Sequence, residues 1–198
     1  AFLLMAGGQG SRLGLDGPKG AFIPTGLDSE LSLFGYQAKS LLKQSKNSEK
    51  PPLWLIMTSP LNQKQTKEHF LQNQYFGYQK DQILFFNQGT IPAINAAGKV
   101  LLSSKSSVAL VPDGNGGCFK ALQQTGLDKV LDENGIKHLF IYGVDNLLIK
   151  LPDPTFLGYH ISQKNLSSNK IVKKASPTES VGVFAQVNDK PSIVEYSN

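Results

Sequence analysis

Two cations, Arg12 and Lys19, lie in a glycine-rich loop near the start of the chain. Six glycines fall between residues 7 and 20, and glycine lets backbone N–H groups come close to an oxyanion. A guanidinium and an ammonium group nearby stabilise negative charge that develops on phosphate oxygens during a reaction. The loop therefore favours phosphoryl or nucleotidyl transfer, and the alternative is a structural turn with solvated basic residues.

Two common nucleotide-binding loops do not fit this sequence. A dinucleotide fingerprint requires a third glycine where Leu13 stands and an acidic residue after the second strand, where 58–59 are threonine and serine. A Walker loop requires its lysine to follow glycine and to precede serine or threonine. Lys19 instead lies between Pro18 and Gly20.

A carboxylate, Asp145, directly follows the apolar run 139–144, which predicts a buried strand. At the carboxyl edge of a sheet, a carboxylate is a hard oxygen ligand that can hold Mg²⁺ against phosphates. An aspartate at a strand end is also a common helix cap. The residue taken alone leaves both interpretations open.

Other polar residues follow predicted strands. Gln88 carries both a donor and an acceptor, although a glutamine taken alone indicates no function. The Asp, Asn and Gly residues of 113–117 favour a turn by themselves. That segment nevertheless lies between a predicted strand and a helix, where its amides can face a ligand. Glu195 could accept hydrogen bonds from sugar hydroxyls, with the Gly182 amide nearby, and an ordinary strand-end charge is the alternative.

Histidine and cysteine give no sign of a zinc site or a nucleophile. His69, His138 and His160 show no metal-ligand spacing, and no base adjoins Cys118 in the sequence. The single cysteine excludes an internal disulfide, which fits a reducing compartment and favours the cytoplasm.

The composition limits the class of protein. Of 198 residues, 40% are hydrophobic, which is ordinary for a globular domain, and no apolar run approaches the roughly 20 residues that cross a membrane. The net charge is +5, and the lysines are scattered along the chain without interleaved aromatic residues. Nucleic-acid binding is therefore not expected. The chain starts at a predicted strand without Met, and we expect one domain that is a piece of a longer protein.

Alternating strands and helices predict the frame that positions these residues. Ser59 and Pro60 favour the start of a helix, and Gly135 is placed to end one. The predicted strands are 2–5, 53–58, 83–86, 108–111, 139–144, 171–173, 181–187 and 192–196, the predicted helices are 33–44, 61–74, 118–134 and 154–167, and 89–107 is predicted as an irregular insertion with one hairpin. This order implies an α/β fold, Rossmann-like, with a mixed, mostly parallel sheet and helices on both faces.

Several motifs of the chain are similar to those of one known family. The run from Gly8 to Gly14 resembles the signature of the eukaryotic-type UDP-sugar pyrophosphorylases, in the version of the UDP-N-acetylhexosamine branch. Six further segments occur in that family's order: 56–59, 85–89, 112–117, 144–146, 177–179 and 194–197. Ser11, Gly143 and Ser180 depart from the commoner residues, and none of these changes removes a charged or ligand-contacting group.

The resemblance implies a central nucleotide- and sugar-binding catalytic domain over 1–198, of nucleotide-diphospho-sugar transferase type and truncated at both ends. It implies that UTP and N-acetylglucosamine 1-phosphate give UDP-N-acetylglucosamine and pyrophosphate with Mg²⁺ as cofactor. Family members continue beyond Glu195 and supply a further lysine for the sugar phosphate. The implied roles are catalysis by Arg12 and Lys19, UTP binding by Ala6, Gly7, Gly8, Gly10, Gln88 and Gly114, sugar binding by Asn115, Gly182 and Glu195, and metal binding by Asp145.

Two alternatives stay open at this stage. The chain could serve another sugar 1-phosphate, such as glucose or N-acetylgalactosamine 1-phosphate, or it could be a UDP-sugar binding module without catalysis. The sequence sets no oligomeric state.

Overall fold

The computed structural model describes residues 1–26, 30–45 and 49–194, without the side chains of Arg12 and Gln44. The chain forms two compact units, Ala1–Pro152 and a second that begins at Asp153. The prediction of one catalytic domain over 1–198 stays a prediction. Within the described ranges, no helix combines the length and the apolar character that crossing a membrane requires.

Strands and helices alternate in the first unit. In chain order they are β1 (Phe2–Met5), α1 (Leu33–Gln44), β2 (Trp54–Thr58), α2 (Gln63–Gln72), β3 (Ile83–Asn87), β4 (Thr90–Pro92), β5 (Leu102–Ser104), β6 (Ser107–Val108), β7 (Leu110–Pro112), α3 (Cys118–Gln124), α4 (Leu127–Glu133) and β8 (Phe140–Gly143). The second unit contains α5 (Pro154–Ser162), β9 (Val183–Val187) and β10 (Lys190–Val194).

The main sheet has four parallel strands in the order β3-β2-β1-β8. Leu4 in β1 lies opposite Ile56 in β2 and Tyr142 in β8. Because the strands are parallel and their connections carry helices, the sheet is of the α/β type that the sequence predicts.

Helices cover both faces of this sheet, as the alternation of side chains along each strand requires. On one face, Leu4 and Ile56 join a core cluster with Phe34 of α1 and Phe70 of α2. The residues that alternate with them form a second cluster with α3, made of Leu3, Leu55, Met57, Phe86, Cys118, Ala121 and Leu122. The prediction of helices on both faces is therefore confirmed.

The prediction that 108–111 returns to the main sheet is wrong. β7 pairs antiparallel with β4, and β6 pairs with β5, in two separate two-stranded ribbons. The strands are two or three residues long and their side chains are exposed. Pro92 and Pro112 end β4 and β7, and proline cannot donate to a further strand of a sheet. The apolar run is a ribbon, although its pattern resembles that of a core strand.

Two helices differ from their predicted bounds. α2 begins at Gln63 with Asn62 as its N-cap, and the Ser59 carbonyl instead accepts from the Asn62 and Gln63 N–H groups in the preceding turn. The predicted helix to 134 is divided into α3 and α4 by Gly126, which has φ 71°. Gly135 has φ 66° and follows α4 closely, so its predicted role as a left-handed terminator is confirmed.

The second unit has a helix followed by a hairpin. The Asp153 carboxylate accepts from the Phe156 N–H at 3.1 Å and caps α5. α5 ends at Ser162 rather than near 167, and Lys164 just beyond it has φ 52°, outside the helical region. β9 and β10 pair antiparallel, whereas the predicted strand 171–173 is absent from the described structure.

Candidate functional site

The carboxyl ends of the four parallel strands bring the predicted site residues of the first unit to one edge. Ala6 follows β1, Gln88 follows β3, and Asp145 comes two residues after β8, while Ser59 of the family motif 56–59 follows β2. In open sheets of this kind, ligands bind in the crevice beyond these ends.

The glycine loop after β1 folds back on itself. The Gly10 N–H donates to the Gly17 carbonyl at 2.8 Å, and the Lys19 N–H donates to the Gly8 carbonyl at 3.2 Å. At Gly10 a Cβ would lie 2.8 Å from the Cβ of Leu15, so a larger residue would not fit there. In this structure Gly10 closes the loop, and its contact with a nucleotide stays a prediction.

Lys19 is placed by the residue that follows it. A Cβ at Gly20 would lie 2.1 Å from the Phe34 ring, so only glycine lets the turn Lys19–Ala21 pack directly on α1. Nζ of Lys19 then reaches Oδ2 of Asp145 at 3.1 Å, and both side chains keep contact with solvent. The structure thus brings a predicted catalytic cation and the predicted metal ligand together.

Gly8 lies beside this pair. Space for a Cβ exists at Gly8, with Lys19 Cε at 3.9 Å as its nearest neighbour. No residue of the described structure accepts a hydrogen bond from the Gly8 N–H. The Gly8 backbone and the Lys19 side chain are therefore neighbours at this edge.

Gln88, directly after β3, contacts the residues at the ends of β2 and β1. Its N–H donates to the Thr58 carbonyl at 2.8 Å, and its side chain is buried. A Cβ at Gly7 would lie 2.7 Å from Gln88 Nε2, so the amide packs on the bare backbone of Gly7. Ala6, also buried, donates from its N–H to Met57 and continues the sheet.

The second predicted nucleotide segment lies next to Gln88. The Asp113 N–H donates to the Gly89 carbonyl at 3.1 Å, which ties the Gly114 and Asn115 turn to the end of β3. Oxygens of the Asp113 carboxylate would lie 2.3 Å from a Cβ at Gly89 or Gly117, so both glycines make room for it. Gly114 has φ 85°, in the left-handed region that favours glycine, and Asn115 is exposed.

A buried thiol adjoins this turn. Burial raises the pKa of the Cys118 thiol, and the nearby Asp113 carboxylate raises it further. A thiol in this state is a poor nucleophile, which agrees with the absence of a nucleophilic role in the sequence prediction.

Three predicted residues either lie outside the described part of the first unit or have no described side chain. Arg12 lies in the backbone turn Ser11–Leu13, and its side chain is outside the described structure. Gly182 belongs to the second unit, directly before β9. Glu195 lies outside the described residues. Within the described part of the chain, no group of three or more His, Cys, Asp or Glu side chains could hold a metal ion.

Two buried polar residues at this edge escaped the sequence prediction. Gln37 on α1 donates from Nε2 to the Val144 carbonyl at 3.0 Å, directly before Asp145. Asn62 donates to two carbonyls of the glycine loop. Gln37 could have been noticed in the sequence because it is a glutamine on the apolar face of α1. Asn62 lay within a predicted helix, and nothing in the sequence distinguished it.

Comparison with known sequences gives relatives over the whole chain. The sequence model of the UTP–glucose-1-phosphate uridylyltransferase family matches residues 1–198. The UDP-N-acetylglucosamine pyrophosphorylase of Saccharomyces cerevisiae is 43% identical over 203 residues, covering 100% of this chain and 42% of that protein. UDP-N-acetylglucosamine diphosphorylase 1 of Arabidopsis thaliana is 44% identical over 207 residues, covering 98% of this chain and 41% of that protein.

A solved structure resembles the fold closely. The uridine diphosphate N-acetylglucosamine pyrophosphorylase of Trypanosoma brucei, crystallised with an inhibitor, superposes with a TM-score of 0.90 at 34% identity. The match covers 100% of this chain and 42% of that one. The chain therefore spans about two fifths of the length of these relatives.

Proposed function

The chain belongs to the UTP–glucose-1-phosphate uridylyltransferase family, and from this premise we propose that the whole protein makes UDP-N-acetylglucosamine and pyrophosphate from UTP and N-acetylglucosamine 1-phosphate. The choice of sugar is supported by the names of the yeast, plant and trypanosome relatives. One structural observation carries the proposal: Lys19 and Asp145 meet at the carboxyl edge of the sheet, beside Gly8, whose N–H has no acceptor among the described residues.

The proposed reaction needs no general base. An ionised phosphate oxygen of the sugar 1-phosphate attacks the α-phosphorus of UTP in line. The bond from that phosphorus to the bridging oxygen breaks, and pyrophosphate leaves with the electron pair. Catalysis then depends on positioning and on stabilising charge, which fits a site built from glycine amides and cations.

Each residue of the edge has a part in this proposal. Lys19 stabilises charge on the transferred phosphoryl group and on the leaving pyrophosphate, together with Arg12, which is assigned from the family resemblance. Gly8 offers its N–H to a phosphate oxygen, with Gly10 closing the loop next to it. Gln88 pairs with uracil, since its amide carries both a donor and an acceptor.

The remaining assignments concern the nucleoside and the sugar. Ala6 and Gly7 form the surface beside Gln88, and Gly114 contacts the base. Asn115, Gly182 and Glu195 bind the sugar in this proposal. For Asn115 and Glu195, support comes from the family motifs that contain them, and Gly182 offers a backbone amide three residues after the motif 177–179.

The residues present suit Mg²⁺. This ion usually takes one or two carboxylates and completes its shell with water and substrate phosphates, and the Asp145 carboxylate is 66% exposed at the edge where the phosphates would lie. When bound, Mg²⁺ would neutralise negative charge on the phosphates of UTP. Asp145 would hold it, and Gln37 would keep the backbone before Asp145 in place.

We also propose that the protein works in the cytoplasm on these small molecules. Support comes from these 198 residues alone, whose single cysteine cannot form a disulfide among them.

Pyrophosphate release tests the proposed activity. The full-length natural protein would be assayed with UTP, Mg²⁺ and, in turn, the 1-phosphates of N-acetylglucosamine, N-acetylgalactosamine and glucose. We expect the largest kcat/KM with N-acetylglucosamine 1-phosphate, and the Lys19→Ala variant controls for contaminating enzyme. A preference for another sugar would contradict the substrate, and UDP-sugar binding without pyrophosphate release would identify a binding module instead.

A further inference from the structure

Asn62 holds the N-cap position of α2, yet its side chain does not cap the helix. Asparagine is favoured there because its oxygen accepts from an N–H of the first turn. In this structure the side chain is 0% exposed and is used elsewhere.

The Asn62 amide connects two loops at the edge of the sheet. Nδ2 donates to the carbonyls of Ala6 at 3.0 Å and Gly8 at 3.1 Å, and Oδ1 accepts from the Ser59 N–H at 2.9 Å. Both donors of the amide are thus engaged with the glycine loop. Residues more than fifty positions apart in the chain are joined by one buried side chain.

These two bonds set the direction of two N–H groups. A peptide unit is planar, and in a trans peptide the N–H points opposite to the carbonyl of the same unit. The carbonyls of Ala6 and Gly8 point towards Asn62, so the N–H groups of Gly7 and Gln9 point away from it. No acceptor for either N–H occurs among the described residues.

We propose that Asn62 is a positioning residue, which aims the Gly7 and Gln9 N–H groups as a pair of donors for a phosphate of the nucleotide. The Gly8 carbonyl also accepts from the Lys19 N–H, so the same contact fixes the start of the lysine turn. The identity of the anion rests on the proposed function, whereas the orientation of the loop does not.

Amide hydrogen exchange tests the orientation without any ligand. Asn62→Asp keeps an acceptor for Ser59 and removes both donations to the loop, and Asn62→Ala serves if the buried carboxylate prevents folding. The reporters are the Gly10 and Lys19 amides, which are bonded within the loop. We expect their exchange to become at least about tenfold faster, which corresponds to about 1.4 kcal/mol, while core amides of β1 and β2 keep their protection.

Thr66→Val is the matched control. Thr66 lies one turn along α2, is fully buried, and has a hydroxyl without a partner among the described residues. In the Thr66→Val variant, the Gly10 and Lys19 amides of the loop should exchange as fast as in the wild type. Equal acceleration at all amides in the Asn62 variants, no acceleration, or failure of both to fold would overturn the proposal.

Binding then tests the link to phosphate. In the full-length protein, Asn62→Asp should weaken the binding of UTP about tenfold and the binding of uridine clearly less, both measured by NMR titration. If the wild type does not bind UTP, the proposed function fails and hydrogen exchange still decides the role of Asn62. If the wild type binds UTP and the variant binds it equally, the positioning role is wrong.

Discussion

Nζ of Lys19 lies 3.1 Å from Oδ2 of Asp145, although 126 positions separate the two residues in the chain. The lysine side chain is 27% exposed and the aspartate 66%, and ion pairs this open to water contribute little to stability. The importance of the pair is therefore its position: the loop after β1 and the end of β8 bring opposite charges to one point of the sheet edge.

Replacing the lysine tests this placement. Lys19→Ala should lower kcat by about 10² to 10³, as when one donor to a transition state is lost. Lys105→Ala, in an exposed turn of the β5 and β6 ribbon, is the control and should retain full activity. Circular dichroism should be unchanged for both variants. Unfolding of the Lys19 variant would instead indicate that the loop is a structural turn.

Arg12 should behave in the same way in the full-length protein. Arg12→Ala is expected to lower kcat by about 10² to 10³ while folding is retained, since the family motif gives its guanidinium a role in charge stabilisation. Steady-state pyrophosphate release would measure it. A rate equal to that of the wild type would exclude the arginine from catalysis.

Asp145→Asn should shift the Mg²⁺ requirement. The substitution keeps the size of the side chain and removes the charge that a hard cation needs. Activity titrated against Mg²⁺ should therefore rise only at much higher concentration, whereas the midpoint of urea unfolding should barely change. Asp132→Asn, exposed near the end of α4, supplies the comparison. Superimposable titrations for wild type and Asp145→Asn would remove this residue from the metal site.

Base selectivity should depend on Gln88 and on the bare backbone beside it. CTP presents an amino donor and an unprotonated ring nitrogen where UTP has a carbonyl and an N–H, so buried groups would stay unpaired at roughly 1 to 3 kcal/mol each. Calorimetry with UTP, CTP and ATP should show preference for UTP, which Gln88→Ala reduces. Equal wild-type affinities would mean that phosphates alone are recognised.

Gly7→Ala offers an independent route to the same result. Its Cβ would lie 2.7 Å from Gln88 Nε2 and must displace that amide. We expect a smaller preference for UTP over CTP, while binding of pyrophosphate persists. Gly158→Ala, at an exposed position of α5 where a Cβ meets nothing within 4 Å, is the matched control.

Stability should fall on acidification through His69. Burial lowers the pKa of its imidazole from the ordinary 6.5, and Nε2 lies 2.9 Å from Oγ of Ser32, which caps α1 by accepting from the Gly35 N–H. Between the folded pKa and 6.5 the unfolded chain binds more protons, so the free energy of unfolding decreases as pH falls through that window.

Urea unfolding at about pH 7.5 and about pH 5.5 would measure this effect against the ordinary histidine pKa. His69→Gln should lose part of the difference between the two values, and His138→Gln, on an exposed residue, should keep it. An unchanged difference in His69→Gln would assign the acid sensitivity to other groups.

Local pattern was sufficient for the elements of the sheet and for α1. The predicted helix 33–44 has the bounds of α1, because Ser32 caps it and Phe34, Ala38 and Leu41 follow a helical period. β1, β2, β3 and β8 were predicted within a residue or so at each end. Their common edge followed from parallel topology, which placed Gln88 and Asp145 beside the glycine loop.

The features that could not be predicted from the sequence depend on contacts between residues that are distant in the chain. The apolar residues of 108–111 have the composition of a core strand, and their pairing with β4 decides otherwise. In the sequence, Asn62 looks like an ordinary polar residue at a helix start. Its role is visible only in the fold, which brings the carbonyls of Ala6 and Gly8 to its side chain. Likewise, the need for glycine at Gly20 arises only when the chain is packed, because a Cβ there would lie 2.1 Å from the Phe34 ring.

The folded-back glycine loop has a thermodynamic consequence for its ligands. Its internal bonds from Gly10 to Gly17 and from Lys19 to Gly8 join residues of the loop to one another, so no atom of a ligand takes part in them. The conformational entropy of these residues is therefore lost during folding rather than on association. A ligand at this loop meets a preorganised surface, and its affinity is not reduced by ordering the chain that receives it.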